Sequence, residues 1–356
     1  MTPPRFGYSN ACGCGAGQGC PARARRRPHP RMAAANDELA HRARKYDAMA
    51  VMHASVTFHD RRAFDSAAVR YLNNFVKACM VDAACRCLCR RGGDGGLRVA
   101  EVACGRGQDH SKWMYGCRAA GTWVSTYFGL DLSSADHSAA LAMAAKFLGR
   151  HGAEVRIQTA DMGVAVWDAP DGSADVVSCQ LAMHYLWDAE DHASHFFQQA
   201  ARVLDSAGLL LISYADGRSV VRRARQSAGA VRSRFYKLEV PAECSALRLK
   251  SPFGNRYVFT MPDSVESVPE YLCHEGSLLK LAKREGFVCG LSMYFDELAL
   301  RLRKLPRFSE LARRMGGDGL DGPDRQDALD AANLYRFSVL ARTPAALQAF
   351  KNALSF

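Results

Sequence analysis

No stretch of the 356-residue sequence approaches the roughly 20 consecutive apolar residues that a bilayer-spanning helix needs, so a soluble chain with no membrane partner is expected. No apolar signal sequence opens the chain, which turns its thirteen cysteines away from a secreted disulfide framework and toward a reducing compartment. Zinc-finger spacing is missing too. Cys85, Cys87 and Cys89 form a C-x-C-x-C run without a second C-x-x-C or a His pair, so they are expected to be small thiols closing a helix and no metal site is assigned. Acid is missing from the first 36 residues, where Arg5, Arg23, Arg25, Arg26, Arg27 and Arg31 stand beside Cys12, Cys14 and Cys20 in a Gly/Pro-rich context. Residues 1–36 therefore read as a disordered basic tail, with Arg25–Arg27 as an import signal or a phosphate-attracting arm. Taking those six charges from a formal +11 leaves +5 for the rest, mildly basic and favourable to a polyanion such as nucleic acid.

What is present is an ordinary globular composition, 48% hydrophobic and 23% charged, enough for one large core with an insertion. A helical segment from Asp37 to Arg91 ends at the Gly92–Gly96 break. Strand signals then alternate with helices: strands at Leu97–Cys104, Trp123–Leu132, Val155–Thr159, Ala174–Leu181 and Leu209–Ser213; helices at Lys112–Ala120, from Ser133 or Ser134 to Leu148, and at Asp188–Leu204. This alternation predicts an α/β fold with a mostly parallel sheet. Residues 235–275 change to short strands punctuated by Pro241, Pro252 and Pro262, including Phe235–Val240, Leu247–Lys250 and Tyr257–Thr260, which predicts an antiparallel insertion or lid. A helix at Ser277–Glu285 and strands at Phe287–Tyr294 and Leu334–Ala341 return to the sheet. A mobile loop is expected at 305–330 and a short tail at 347–356, leaving one domain over 37–346.

The run Val99-Ala100-Glu101-Val102-Ala103-Cys104-Gly105-Arg106-Gly107-Gln108-Asp109 ends a strand and opens a helix, where open α/β sheets bind nucleotides. Asp131, closing the next strand, is placed to accept both hydroxyls of a ribose. Asp161 can accept from an adenine amino group or cap a helix. G-x-G-x-x-G is absent, and Asp109 at the helix start would repel a pyrophosphate. A cationic, phosphate-free nucleoside fits better, with Glu101 for its amino group.

Four separated motifs carry a resemblance: Arg70-Tyr71-Leu72-Asn73-Asn74-Phe75-Val76-Lys77, the glycine loop through Lys112-Trp113, Ser178-Cys179-Gln180 with His184-Tyr185, and Val268-Pro269-Glu270-Tyr271. Together they resemble the eukaryotic and viral mRNA cap guanine-N7 methyltransferases over most of residues 40–342. The resemblance implies a class I, Rossmann-like methyltransferase with a seven-stranded sheet and S-adenosylmethionine (SAM) as cofactor. It places Lys77, Glu101, Ala103, Gly105, Asp131, Asp161 and Gln180 around SAM, and Asn73, Asn74, Arg106, Asp109, His184, Tyr185, Glu270 and Tyr335 around the cap. The family loop usually reads Asp-x-Gly-x-Gly-Lys-Gly-Gly-Asp; here Glu101, Ala103, Arg106 and Gln108 stand at four of its positions. The methyl of Ala103 crowds the cofactor if the backbone there needs positive φ. Asp47 stands where an asparagine is expected.

The implied reaction is methyl transfer to N7 of a GpppN cap by alignment and electrostatics, without acid, base or nucleophile. Implied partners are the capped 5′ end of mRNA and, among proteins, a guanylyltransferase, an activating subunit or RNA polymerase II. The implied location is the nucleus, or the cytoplasm for a viral enzyme. No Lys-x-Asp-Gly guanylyltransferase motif occurs in the chain. Two other readings fit the same residues: a SAM-dependent methyltransferase for another nucleobase or a small molecule, and a non-catalytic RNA-binding or partner module.

Overall fold

Strands with apolar residues on both faces must be covered on both sides. A computed structural model of the chain describes residues 66–89, 95–245, 249, 251–262, 265–320 and 322–354, with Arg44, Asp47 and Ala48. All belong to one unit, His41–Phe356. The expected tail at 1–36, most of the expected helix before Ser66 and most of the expected strand at 247–250 lie outside the described residues.

The chain runs α1 (Ala67–Cys89), β1 (Leu97–Val102), α2 (His110–Ala120), β2 (Val124–Asp131), α3 (His137–Phe147), β3 (Glu154–Thr159), β4 (Ala174–Cys179), α4 (Glu190–Val203), β5 (Leu204–Ala215) and α5 (Gly217–Gln226). The insertion follows as β6 (Ala230–Arg232), β7 (Lys237–Glu239), the turn-length α6 (Ala242–Ser245), β8 (Arg256–Met261) and β9 (Val265–Tyr271). The chain closes with α7 (Glu275–Arg284), β10 (Val288–Tyr294), α8 (Phe295–Leu302), α9 (Pro306–Leu320), α10 (Arg325–Ala332), β11 (Tyr335–Ala341) and α11 (Pro344–Leu354).

The main sheet has seven strands in the order β10-β11-β5-β4-β1-β2-β3. β1 pairs in parallel with β2 and β4, β2 with β3, and β4 with β5, whereas β11 is antiparallel to β5 and β10. The sheet is mostly parallel, as the strand and helix alternation predicts, and has the seven strands that the resemblance implies. The two-residue strand period divides the core: Leu97, Val99, Val176, Leu209 and Leu211 join one apolar cluster, and Ala100, Val102, Val177, Leu210 and Ile212 the other. On the first face lies α1, which packs against α2, α9, α10 and α11. Its small residues Ala83, Ala84, Cys85 and Cys87 are buried there, so the C-x-C-x-C run supplies packing, with Cys85 Sγ 3.6 Å from Cys117 Sγ.

The insertion is an antiparallel sheet in the order β6-β7-β8-β9, beginning at Ala230 rather than at 235. Pro269 sits on β9, an edge strand, where a missing N–H costs least. Two expectations are corrected. The mobile loop at 305–330 is largely the helices α9 and α10, because Phe308, Ala312, Ala328 and Leu329 are buried against neighbours. The tail at 347–356 is helical to Leu354, since Leu347, Phe350 and Leu354 form one buried stripe at helical spacing. Helices α5 and α8 have no counterpart among the predicted elements.

Candidate active site

The carboxyl ends of β1 to β4 converge on one side of the sheet, at the crevice where ligands enter open α/β folds. There α1, the β1–α2 loop, the insertion and the start of β11 enclose a cleft of about 410 Å3. All fifteen residues placed around cofactor or cap by the resemblance line it: Asn73, Asn74, Lys77, Glu101, Ala103, Gly105, Arg106, Asp109, Asp131, Asp161, Gln180, His184, Tyr185, Glu270 and Tyr335.

The glycine loop explains its own sequence. Gly107 has φ 72°, and a Cβ there would lie 2.3 Å from the His110 ring. Ala103 has φ 58°, the positive value that makes its methyl a strain. Gly105 turns its N–H onto Asp131 Oδ2 at 2.7 Å, and the Ser133 N–H reaches Oδ1 at 2.9 Å. The Asp131 carboxylate is thus aimed into the cleft by backbone. Burial raises its pKa, with these amide bonds opposing the shift.

Glu101 is buried, and its Oε2 accepts from the Tyr127 hydroxyl at 2.7 Å and from Trp113 Nε1 at 3.2 Å. Burial first, and then the charge of Asp109, push its pKa up to about 7. Asp109 itself is already paired: Lys77 Nζ donates to it at 2.9 Å and Lys112 Nζ at 2.6 Å. Burial alone would raise its pKa, but the two ammonium groups overcome this and hold it well below the usual range. Its negative charge is therefore largely spent inside the protein, and less is left for a ligand than its place in the motif implies.

Asp161 accepts the Gly163 N–H at 2.7 Å, so one oxygen closes a turn, and no helix begins there for the expected cap. The Gln180 amide is held by Ser178, Ser213 and the Leu211 carbonyl at the sheet's end. Arg106 Nε lies 3.8 Å from Asp136 Oδ1, and burial lifts Asp136 to about 6 despite that cation. Asp47 accepts from Ser133 Oγ at 2.6 Å and from the Ala135 N–H at 3.2 Å, tying its segment to the loop after β2.

Across the cleft the groups suit a purine. Glu270 is 4% exposed. Its Oε2 accepts from the Tyr257 hydroxyl, its cross-strand partner, and its Oε1 from Tyr185 at 3.4 Å. His184 is buried and accepts the Ala215 N–H on Nδ1 at 3.2 Å, which leaves the proton on Nε2, 3.3 Å from Glu270 Oε1. Burial, then the charge of Glu270, push the hydroxyls of Tyr257 and Tyr335 well up. Tyr257, Phe259 and Met261 are among the lining and supporting residues that motif reading missed. Their alternation on β8 was the signal, since Tyr257, Phe259 and Met261 are buried and Arg256, Val258 and Thr260 less so.

These groups fit a cationic nucleoside: an oriented carboxylate for a ribose and a buried one for an ammonium, whereas Asp109, paired with two lysines, does not repel a phosphate at the helix start as the motif implied. The mRNA (guanine-N(7))-methyltransferase domain model matches residues 43–342. The mRNA cap guanine-N(7) methyltransferase 1 of Arabidopsis thaliana is 27% identical over 310 residues, 80% of this chain and 78% of the plant protein. The mRNA cap guanine-N(7) methyltransferase of Saccharomyces cerevisiae is 25% identical, over 76% of this chain and 63% of the yeast protein. A solved S-adenosylmethionine dependent methyltransferase from Mesorhizobium loti is 19% identical and covers 70% of this chain and 93% of its own, at a TM-score of 0.40. The family model spans most of the chain, and the chain belongs to the mRNA (guanine-N7)-methyltransferase family.

Proposed function

We propose that this chain transfers a methyl group from SAM to N7 of the guanosine cap of mRNA, by alignment and electrostatics and without a general base. The bound cofactor supplies a methyl group on a sulfonium that departs as a neutral thioether. Guanine N7 carries no proton, so no side chain has to remove one. Asp131 binds the ribose hydroxyls and Glu101 the ammonium, while Lys77, Ala103, Gly105, Asp161 and Gln180 shape the rest of the cofactor half. Asn73, Asn74 and Arg106 face the cap's ribose and phosphates, and Tyr185 and Tyr335 flank the base. Glu270 accepts the N1 and N2 hydrogens of guanine and tempers the positive charge that develops on it. Asp109, neutralised by Lys77 and Lys112, contributes little to that field.

The observation that carries this reading is the buried Glu270 carboxylate, held by Tyr257 and Tyr185 opposite the cofactor half of the same cleft. Adenine lacks the two-donor edge that such a carboxylate reads. Glu270→Gln keeps the size but turns one acceptor into a donor that faces a donor, at a cost of about 1–3 kcal/mol. The variant is expected to bind SAM normally and to lose at least tenfold in kcat/KM on GpppG. An inosine cap, without the N2 amino group, loses less. Near-wild-type kinetics on both caps would remove the guanine contact and favour a different methyl acceptor. The reading carries with it a nuclear site of action and a guanylyltransferase, an activating subunit or RNA polymerase II as protein partners. In support stand the cap methyltransferases of plants, fly and yeast among its relatives.

A further inference from the structure

One ridge of α1 runs through Arg70, Asn74, Ala78, Asp82 and Arg86 at the four-residue spacing that keeps side chains on one helix face. Arg70 and Asn74 line the cleft. Ala78, Asp82 and Arg86 line a second cavity of about 660 Å3, enclosed by α1, α2 and α9. The two spaces also share a wall, since Lys112 lines the second and bonds Asp109 of the first. From Asn74 to Arg86 the ridge spans about 18 Å. The second groove is basic: Arg86, Arg118, Arg307 and Arg314 line it, Arg314 lying 3.6 Å from Glu310 and the lining Lys112 being spent on Asp109, against the single lining acid Asp82, which Arg86 and Arg307 already face. Arg118 makes no ion pair among the described residues. Tyr115, also on the groove wall, is 59% exposed, an uncommon position for a large aromatic ring.

We propose that this groove holds the single-stranded RNA that follows the cap, with the arginines on its phosphates and Tyr115 under a base. The proposal rests on the cap reading of the cleft, because the ligand continuous with a cap is its own RNA chain. Forked guanidinium groups beside an exposed ring are the combination that grips single strands without regard to sequence. An acidic protein segment would match the charge but gives no reason for continuity with the cleft.

The test compares the wild-type chain with Arg118→Ala/Arg314→Ala and with Tyr115→Ala, all on the surface and none in the methyl-transfer cleft. Each is assayed on GpppG and on a capped 15-nucleotide RNA, and titrated by anisotropy with the same RNA uncapped. Expected are a KM at least tenfold higher on the capped RNA for the double variant, unchanged kcat/KM on GpppG, and weaker uncapped-RNA binding. The slope of log K against log salt should fall by about 1.4 for two lost phosphate contacts. Equal losses on both substrates, or RNA binding identical to wild type, would overturn the groove; the latter is also what an acidic protein partner predicts. If neither cap substrate is methylated by the wild type, the cap reading fails, and the RNA titration still decides whether the groove binds RNA.

Discussion

Ala103 sits at φ 58° in the loop that turns beneath the cofactor half of the cleft, a conformation that costs an L-residue with a Cβ roughly 1–2 kcal/mol. Glycine at this position should relieve most of that strain. Ala103→Gly is expected to raise Tm by about 2 °C, as a change near 1 kcal/mol does in a domain of this size. A fall in Tm on thermal melting would show that the methyl's packing outweighs the strain. Glu101 gives a pH dependence. Its folded pKa, about 7, lies above its ordinary 4.5, so the free protein holds this proton more tightly than the unfolded chain. The stability this contributes is fullest below 4.5 and is lost as pH rises toward 7. An ammonium favours the charged form, so SAM affinity should strengthen by up to tenfold per pH unit from about 5.5 toward 7 and level off above. A calorimetric Kd flat over that range would separate Glu101 from the ammonium.

At the scale of elements, helices held by tertiary packing are where sequence reading fell short. Gly316, Gly317 and Gly319 suggested a loop, yet α9 persists because Phe308 and Ala312 anchor it beside α1. α5 was obscured by its four arginines, which hide the buried stripe of Val220, Val221 and Ala224. The terminal helix did carry a legible signal in Leu347, Phe350 and Leu354, the spacing of one helical face. Phe350→Ala removes a ring that is 1% exposed within the α1 core and is expected to cost about 3–5 kcal/mol. Denaturant unfolding that places the loss below 1 kcal/mol would mean that α11 is not integral to that core. The strands were more legible, because apolar runs such as Leu209–Ser213 need no partner to be recognised.

For the whole molecule, the site was legible where a strand end met a motif and illegible where chemistry depended on residues far apart in sequence. The position of Asp131 and Glu101 at the cleft followed from the strand register alone. The neutralisation of Asp109 by Lys77, 32 residues earlier, and the bracing of Glu270 by Tyr257 across the insertion are products of packing. The fold therefore builds one half of the cleft from the parallel sheet and the other from the insertion. The most direct measurement is to incubate the full chain with methyl-labelled SAM and unmethylated GpppG and to digest the product to nucleosides. Label recovered in 7-methylguanosine is the expected result; label at any other position, or SAM binding with no transfer to the cap, would contradict it.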